Sequence, residues 1–275
     1  MSWWAVDLAA EGEPPDDLAA WLVRRTGQAV QEREDNRVTG FVPNRNSAHD
    51  LVREILETFG PGLVAKVREL PDTDWSASWR EGIGVRQLGR LAIHPPWLQP
   101  PDGSLPIEIS PGSAFGTGEH GSTRAALSLM ERLVRPGDLV LDLGAGSGIL
   151  SIAAVRLGAR KVIGIEVDAD ALAVAEDNAR RNAVSGQVAF LRGDAAVLVP
   201  LCGPAQMIVS NILREVNRAV LPEIRAALAA PGSAIFSGME TSDRDDFMQS
   251  LNAAGFSPFD EVVDEGWWAV AARLP

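Results

Sequence analysis

Asp142, Gly144, Gly146 and Gly148 lie at the end of the apolar run Leu139-Val140-Leu141, and Glu166 closes the next apolar run twenty residues after Gly146. Glycines at such a junction let the backbone approach a ligand, because a side chain would fill the space and the turn can require positive φ. A carboxylate at the end of the following strand can accept hydrogen bonds from two ribose hydroxyls. Together these residues describe a nucleotide-sized pocket. Asp142 is placed to organise the turn by accepting backbone donors. The glycine spacing is G-x-G-x-G, whereas the dinucleotide fingerprint is G-x-G-x-x-G. Taken alone, the glycines leave a dinucleotide site or a purely structural turn open.

Further candidates follow along the chain. Asp194, after the run ending Phe190-Leu191-Arg192-Gly193, can accept from the exocyclic amine of adenine or serve as a solvated turn residue. Asn211 follows Ile208-Val209-Ser210, at a strand end where open α/β sheets present ligand-binding residues. Its amide oxygen can orient an amine, or its side chain can cap the next helix. Thr123 opens an apolar-periodic segment and can likewise cap a helix. His120 can touch substrate or order its loop, and no catalytic role is assigned to it.

The elements that must position these groups alternate from about residue 105 to 275. Strands are expected near 138–143, 161–166, 187–192, 205–210 and 233–238, with a helix over 148–157 and another over 124–133. Phe256 to Val263 and Trp267 to Arg273 read as a hairpin around Asp264-Glu265-Gly266. The expectation is a mostly parallel α/β sheet closed by an antiparallel hairpin. Residues 1–70 read as strand, helix, strand, strand, helix, strand, the order of a ferredoxin-like α+β domain, with Ser47 a candidate cap for the second helix. Residues 71–104, holding Trp75, Trp79, Pro95, Pro96 and Trp97, read as a linker with a short strand over 90–94, and 105–275 as the ligand-binding domain.

The glycine triplet resembles the first motif of class I methyltransferases, whose Rossmann-like fold binds S-adenosylmethionine. More specific is the loop Gly112, Ala114, Phe115, Gly116, Thr117, Gly118, His120 and Thr123, which closely resembles that of the ribosomal protein L-eleven methyltransferases, PrmA. Trp75 and Trp79, the run Val209-Ser210-Asn211-Ile212-Leu213 and the Trp267 ending resemble that family in the same order. The resemblance implies an S-adenosylmethionine-dependent protein N-methyltransferase acting on lysine, and on an N-terminal amine, of large-subunit ribosomal protein L-eleven. It also implies a cofactor site of Phe115, Thr123, Gly144, Gly146, Glu166, Asp194 and Asn211, with Asn211 catalytic and the small N-terminal domain recognising substrate. Glu166 stands where the family more often has Asp, which preserves ribose binding. Arg214-Glu215-Val216 replace the usual Ala and later Pro, leaving a related enzyme for another protein or a small amine as the alternative. A non-enzymatic cofactor-binding module is a third reading.

Composition narrows the classes further. With 25 Lys plus Arg against 37 Asp plus Glu, the net charge of −12 disfavours sequence-independent nucleic-acid binding and suits a basic protein substrate or simple solubility. One cysteine, Cys202, excludes an internal disulfide framework, and His49, His94 and His120 are too dispersed to suggest a metal. No apolar stretch reaches membrane-spanning length and the start lacks a basic signal region, so a reducing cytoplasmic location is expected. The eight tryptophans are expected mostly in cores or at a domain junction.

Overall fold

A computed structural model describes residues 3–10, 18–26, 30–33, 37–60, 62–70, 83–110 and 116–275. The chain divides into two compact units, Met1–Gly82 and Ile83–Pro275. The short strands β5 (Arg86–Leu88), β6 (Leu91–His94) and β7 (Leu105–Glu108) fall within the second unit and form a small sheet of their own.

In the first unit, β1 (Trp4–Ala10), β2 (Gln31–Arg33), β3 (Arg37–Val42) and β4 (Leu63–Glu69) form one antiparallel sheet in the order β2-β3-β1-β4. This is the ferredoxin-like order, with α1 (Leu18–Thr26) and α2 (Arg45–Phe59) as the connecting helices. Ala48, Leu51 and Ile55 recur at helical spacing on α2 and meet Val6, Leu8, Leu22 and Val38 in one core. The cap of α2 is Asn44, not Ser47. The Asn44 side chain accepts from the Ser47 N–H at 2.9 Å, which places Ser47 inside the first turn as the donor.

In the second unit, seven strands run in the order β10-β9-β8-β11-β12-β14-β13. They are β8 (Leu139–Leu143), β9 (Lys161–Glu166), β10 (Val188–Arg192), β11 (Ala205–Asn211), β12 (Leu228–Glu240), β13 (Ser257–Asp264) and β14 (Trp267–Arg273). The first five are mutually parallel where they pair, and β14 runs antiparallel to both β12 and β13. β12 begins earlier than the apolar run suggests, because Leu228 pairs with Ala205 before the ladder resumes at Ser233 opposite Met207. Successive residues face opposite cores: Val140, Val209 and Ile235 enter one cluster, while Leu141, Ile208 and Phe236 enter the other. Burial on both faces is why these strands read as continuous apolar runs.

Helices α3 (Gly121–Leu133) and α4 (Ile149–Arg156) contribute to the first cluster. Helix α3 starts three residues before the expected Arg124, since the Thr123 and Arg124 amides both donate to the His120 carbonyl. Helices α5 (Ala169–Arg181), α6 (Ala195–Cys202), α7 (Arg214–Ala219), α8 (Leu221–Ala227) and α9 (Arg244–Ala253) complete the unit. Trp268 is fully buried, as expected of a core tryptophan, but Trp3 and Trp97 are exposed. Trp75 and Trp79 lie outside the described residues. No helix among the described residues is long and apolar enough to cross a membrane.

Strand order reverses between β8 and β11, so the connections leaving their carboxyl ends diverge and open a crevice there. Gly144 follows β8 and Asn211 ends β11.

Candidate functional site

The turn after β8 requires its glycines. Gly144, Gly146 and Gly148 have φ of 72°, 52° and 80°, values that side-chain-bearing residues rarely adopt. A Cβ on Gly144 would also overlap Ile212 Cγ2, and one on Gly148 would come within 3.1 Å of both Ala175 and Phe190. The Gly144 and Ala145 amides donate to the Ile165 carbonyl at 2.9 and 3.1 Å, and the Gly146 amide donates to Glu166 Oε2 at 3.0 Å.

The structure therefore corrects the role expected of Asp142. Its neighbours Ile165 and Glu166 hold the turn, while Asp142 lies fully buried and accepts from Ser151 Oγ of α4 at 2.6 Å. The cause is strand parity: Asp142 shares the face of Val140, which packs in the cluster that includes α4 residues. Its Oδ1 has no hydrogen-bond partner among the described residues. Burial pushes this carboxyl up to about 6, against a smaller lowering by the Ser151 hydrogen bonds.

Glu166 is pre-held by backbone. Its Oε1 accepts from the Val167 and Asp168 amides at 2.8 and 3.0 Å, leaving Oε2, with the Gly146 amide, the oxygen with more capacity toward a ligand hydroxyl.

A cavity of about 470 Å³ opens over these groups, lined in part by Gly144, Gly146, Glu166, Asp194, Asn211 and Trp267. That volume suits a single nucleoside-sized ligand. Asp194 is the N-cap of α6, accepting from the Ala196 amide at 2.9 Å, so its turn role and its place in the cavity coexist. Asn211 does not cap α7, whose N-cap is Leu213. Instead Asn211 Nδ2 donates to Thr123 Oγ1 at 3.3 Å, and the buried Oδ1 is without a partner among the described residues. Such an acceptor is costly to bury and suits a ligand that brings a donor.

Thr123 is fully buried and reaches the site through Asn211; Ser122, beside it, lines the cavity. It is not the cap of α3, a position held by His120. Phe115 lies outside the described residues. His120 also lines the cavity, packs against Trp267 with ring centroids 4.2 Å apart, and shares a 2.7 Å contact between Nδ1 and Ser122 Oγ. Burial first, and then the Arg124 charge, lower its pKa and favour a neutral imidazole. Arg124 in turn is anchored by Asp264 and Glu265 of the terminal hairpin.

Ile212, Leu213 and Val216, which lie in the quoted runs but were given no site role, line the cavity, as does Gly238, which no motif includes. Ile212 and Leu213 follow Asn211 directly, so adjacency is the signal that could have found them; Gly238 has none, since only the pairing of β12 with β11 brings it there. The arrangement can hold a ribose at Glu166, an adenine-like base near Asp194, and a donor group at Asn211 beneath an aromatic wall.

The chain as a whole is similar to known proteins. A sequence model of the ribosomal protein L11 methyltransferase (PrmA) family matches residues 17–275. The ribosomal protein L11 methyltransferase of Geobacter sulfurreducens is 40% identical over 276 residues, covering 96% of this chain and 89% of that protein. That of Pelotomaculum thermopropionicum is 36% identical over 246 residues, covering 86% of this chain and 79% of its own length. The crystal structure of ribosomal protein L11 methylase from Lactobacillus delbrueckii subsp. bulgaricus superposes with a TM-score of 0.64 at 32% identity, over 70% of this chain and 99% of that one. Matching sequence across the glycine turn, the Asn211 strand end and the Trp267 hairpin, together with a matching fold, places the chain in the ribosomal protein L11 methyltransferase (PrmA) family.

Proposed function

We propose that this chain is an S-adenosylmethionine-dependent methyltransferase that modifies lysine amines, and an N-terminal amine, of ribosomal protein L11. Family membership supports the reaction and the substrate. The observation that carries the chemistry is the buried Asn211 Oδ1, without a partner among the described residues, at the strand end of a cavity whose other polar groups suit a ribose and a base. In this reading Glu166 accepts from ribose hydroxyls, Asp194 from the adenine amine, and Gly144 and Gly146 let the backbone approach. Thr123 acts through Asn211, and Phe115 is assigned by the family loop alone.

When bound, the cofactor supplies a methyl group on a cationic sulfur. Gly144, Gly146, Glu166 and Asp194 would hold it with that methyl open to a neutral amine placed opposite the sulfur, and the methylated amine would then give up its extra proton to water. A lysine amine of pKa about 10.4 must first lose a proton. Ile165, Ile212, Leu213, Val216 and Trp267 give the cavity an apolar wall that disfavours the ammonium form. Asn211 Oδ1 accepts from the neutral amine and aligns its lone pair, so orientation replaces a strong base.

Residues 1–70 are assigned to substrate recognition and 105–275 to methyl transfer; of the expected connection 71–104, the part from Ile83 belongs to the second unit. Ribosomal substrate implies a cytoplasmic location. Arg214, read from the sequence as a departure from the family's pattern, is held by Glu215 and by Asp243 at 2.8 Å, which favours a surface role over a remodelled acceptor site. Incubating the protein with methyl-labelled cofactor and an equimolar mixture of purified L11 and free lysine tests the substrate. Label in L11 is expected; label confined to free lysine would favour a small-amine enzyme.

A further inference from the structure

We propose that Asn217 is a positioning residue that fixes Asn211 for methyl transfer. The inference rests on the reading of Asn211 as the group that orients the amine. Asn217 lies on α7, is fully buried, and is not among the residues lining the cavity. A buried carboxamide among apolar neighbours is costly unless its donors and acceptor are matched, and here they are. Asn217 Oδ1 accepts from Ser210 Oγ at 2.6 Å, and Nδ2 donates to the carbonyls of Ile212 at 3.1 Å and Ser237 at 2.9 Å.

Ser210 and Ile212 are the two residues that flank Asn211. One side chain thus grips the chain on both sides of the proposed catalytic amide. It also ties that point to Ser237, the β12 residue beside the cavity-lining Gly238. The two segments approach so closely that a Cβ on Gly238, at φ of 83°, would overlap the Ile212 backbone. Ser237 Oγ in turn donates to the Ser122 carbonyl at 2.9 Å, next to Thr123, whose Oγ1 accepts from Asn211 Nδ2. The contacts form a closed circuit: Asn217 sets the backbone on either side of Asn211, and Thr123 sets the rotation of its amide. With Nδ2 held by Thr123, Oδ1 is the atom left to receive the amine.

An apolar residue of the same branched shape at 217 would leave the Ile212 and Ser237 carbonyls and the Ser210 hydroxyl without this partner, and β11 would end less firmly. Cofactor capture at Glu166 and Asp194 involves other strands, so turnover should suffer more than cofactor binding. The test is a double-mutant cycle of Asn217→Leu with Asn211→Ala, read by single-turnover methylation of L11 at saturating cofactor and by calorimetric titration with S-adenosylhomocysteine. For Asn217→Leu we expect the rate to fall about ten- to a hundredfold, the scale of an ångström-sized misplacement, with a much smaller change in cofactor Kd. In the Asn211→Ala background the same substitution should cost little more, because its effect passes through Asn211. Ser210→Ala, which removes one arm of the grip without disturbing size, should lower the rate several-fold and keeps the question answerable if Asn217→Leu does not fold. Independent, multiplicative losses, or wild-type rates in both Asn217→Leu and Ser210→Ala, would overturn the inference while leaving the role of Asn211 intact. A wild-type rate in Asn211→Ala would overturn both.

Discussion

Replacing Glu166 by alanine should weaken cofactor binding strongly while costing little stability. In the structure Oε1 serves the Val167 and Asp168 amides, and Oε2 serves Gly146 with capacity left toward a ligand. A hydrogen bond to a charged acceptor contributes about 1.5 to 3 kcal/mol. Losing one such bond to the ribose corresponds to about a 10- to 150-fold rise in Kd. The Val167 and Asp168 amides are near the surface and regain water, whereas the part-buried Gly146 amide loses its partner, at a cost of about 1 kcal/mol. For a unit of this size that is a fall in Tm of about 2 to 4 °C. Glu166→Gln separates the two contributions, since its amide can keep the Oε1 contacts only by turning a donor toward the Gly146 N–H. It should therefore bind closer to alanine than to wild type. Calorimetry with S-adenosylhomocysteine, paired with a thermal melt, measures both quantities. A Kd within a factor of two of wild type in folded Glu166→Ala would remove Glu166 from the site.

Other consequences are as direct. Gly144→Val should abolish cofactor binding and lower Tm by more than Glu166→Ala does, because it combines positive φ with overlap on Ile212; normal titration of that variant would show that the turn does not face the ligand. Asp142, with its carboxyl raised to about 6, contributes stability that is full below its unfolded value and lost as pH rises through 6. Wild type should accordingly lose about 1 to 2 kcal/mol relative to Asp142→Asn between pH 5 and pH 8, seen in paired chemical melts, and parallel pH profiles would contradict the assignment. A chain beginning at Ile83 should still bind S-adenosylhomocysteine yet fail to methylate L11, since among the described residues all those lining the cavity lie in the second unit; methylation at the full-length rate would end the recognition role proposed for the first.

The sheet was legible because its central strands are buried on both faces, which leaves unbroken runs such as Leu139-Val140-Leu141 in the sequence. The glycine turn and Glu166 were legible because positive φ and a carboxylate at a strand end leave few residue choices. The partner of Asp142 was not, since motif spacing places it beside the turn while strand parity directs it to Ser151. Asn44 was overlooked as a cap in favour of Ser47, as both types cap helices and only the start of α2 distinguishes them. Asn217 gave no signal at all: a polar residue in a helix reads as solvent-facing until the ends of β11 and β12 are seen to close around it. Long-range pairings of this kind are decided by topology, which local pattern does not encode.

The most direct measurement is the intact mass of L11 in undermethylated large ribosomal subunits before and after incubation with the purified protein and S-adenosylmethionine, followed by fragmentation to locate the change. L11 is expected to gain mass in whole methyl increments on lysine and N-terminal amines, and Asn211→Ala, loaded with cofactor to the same extent, to add them far more slowly. An unchanged mass for L11 while another ribosomal protein or a free amine acquires the methyl group would contradict that expectation.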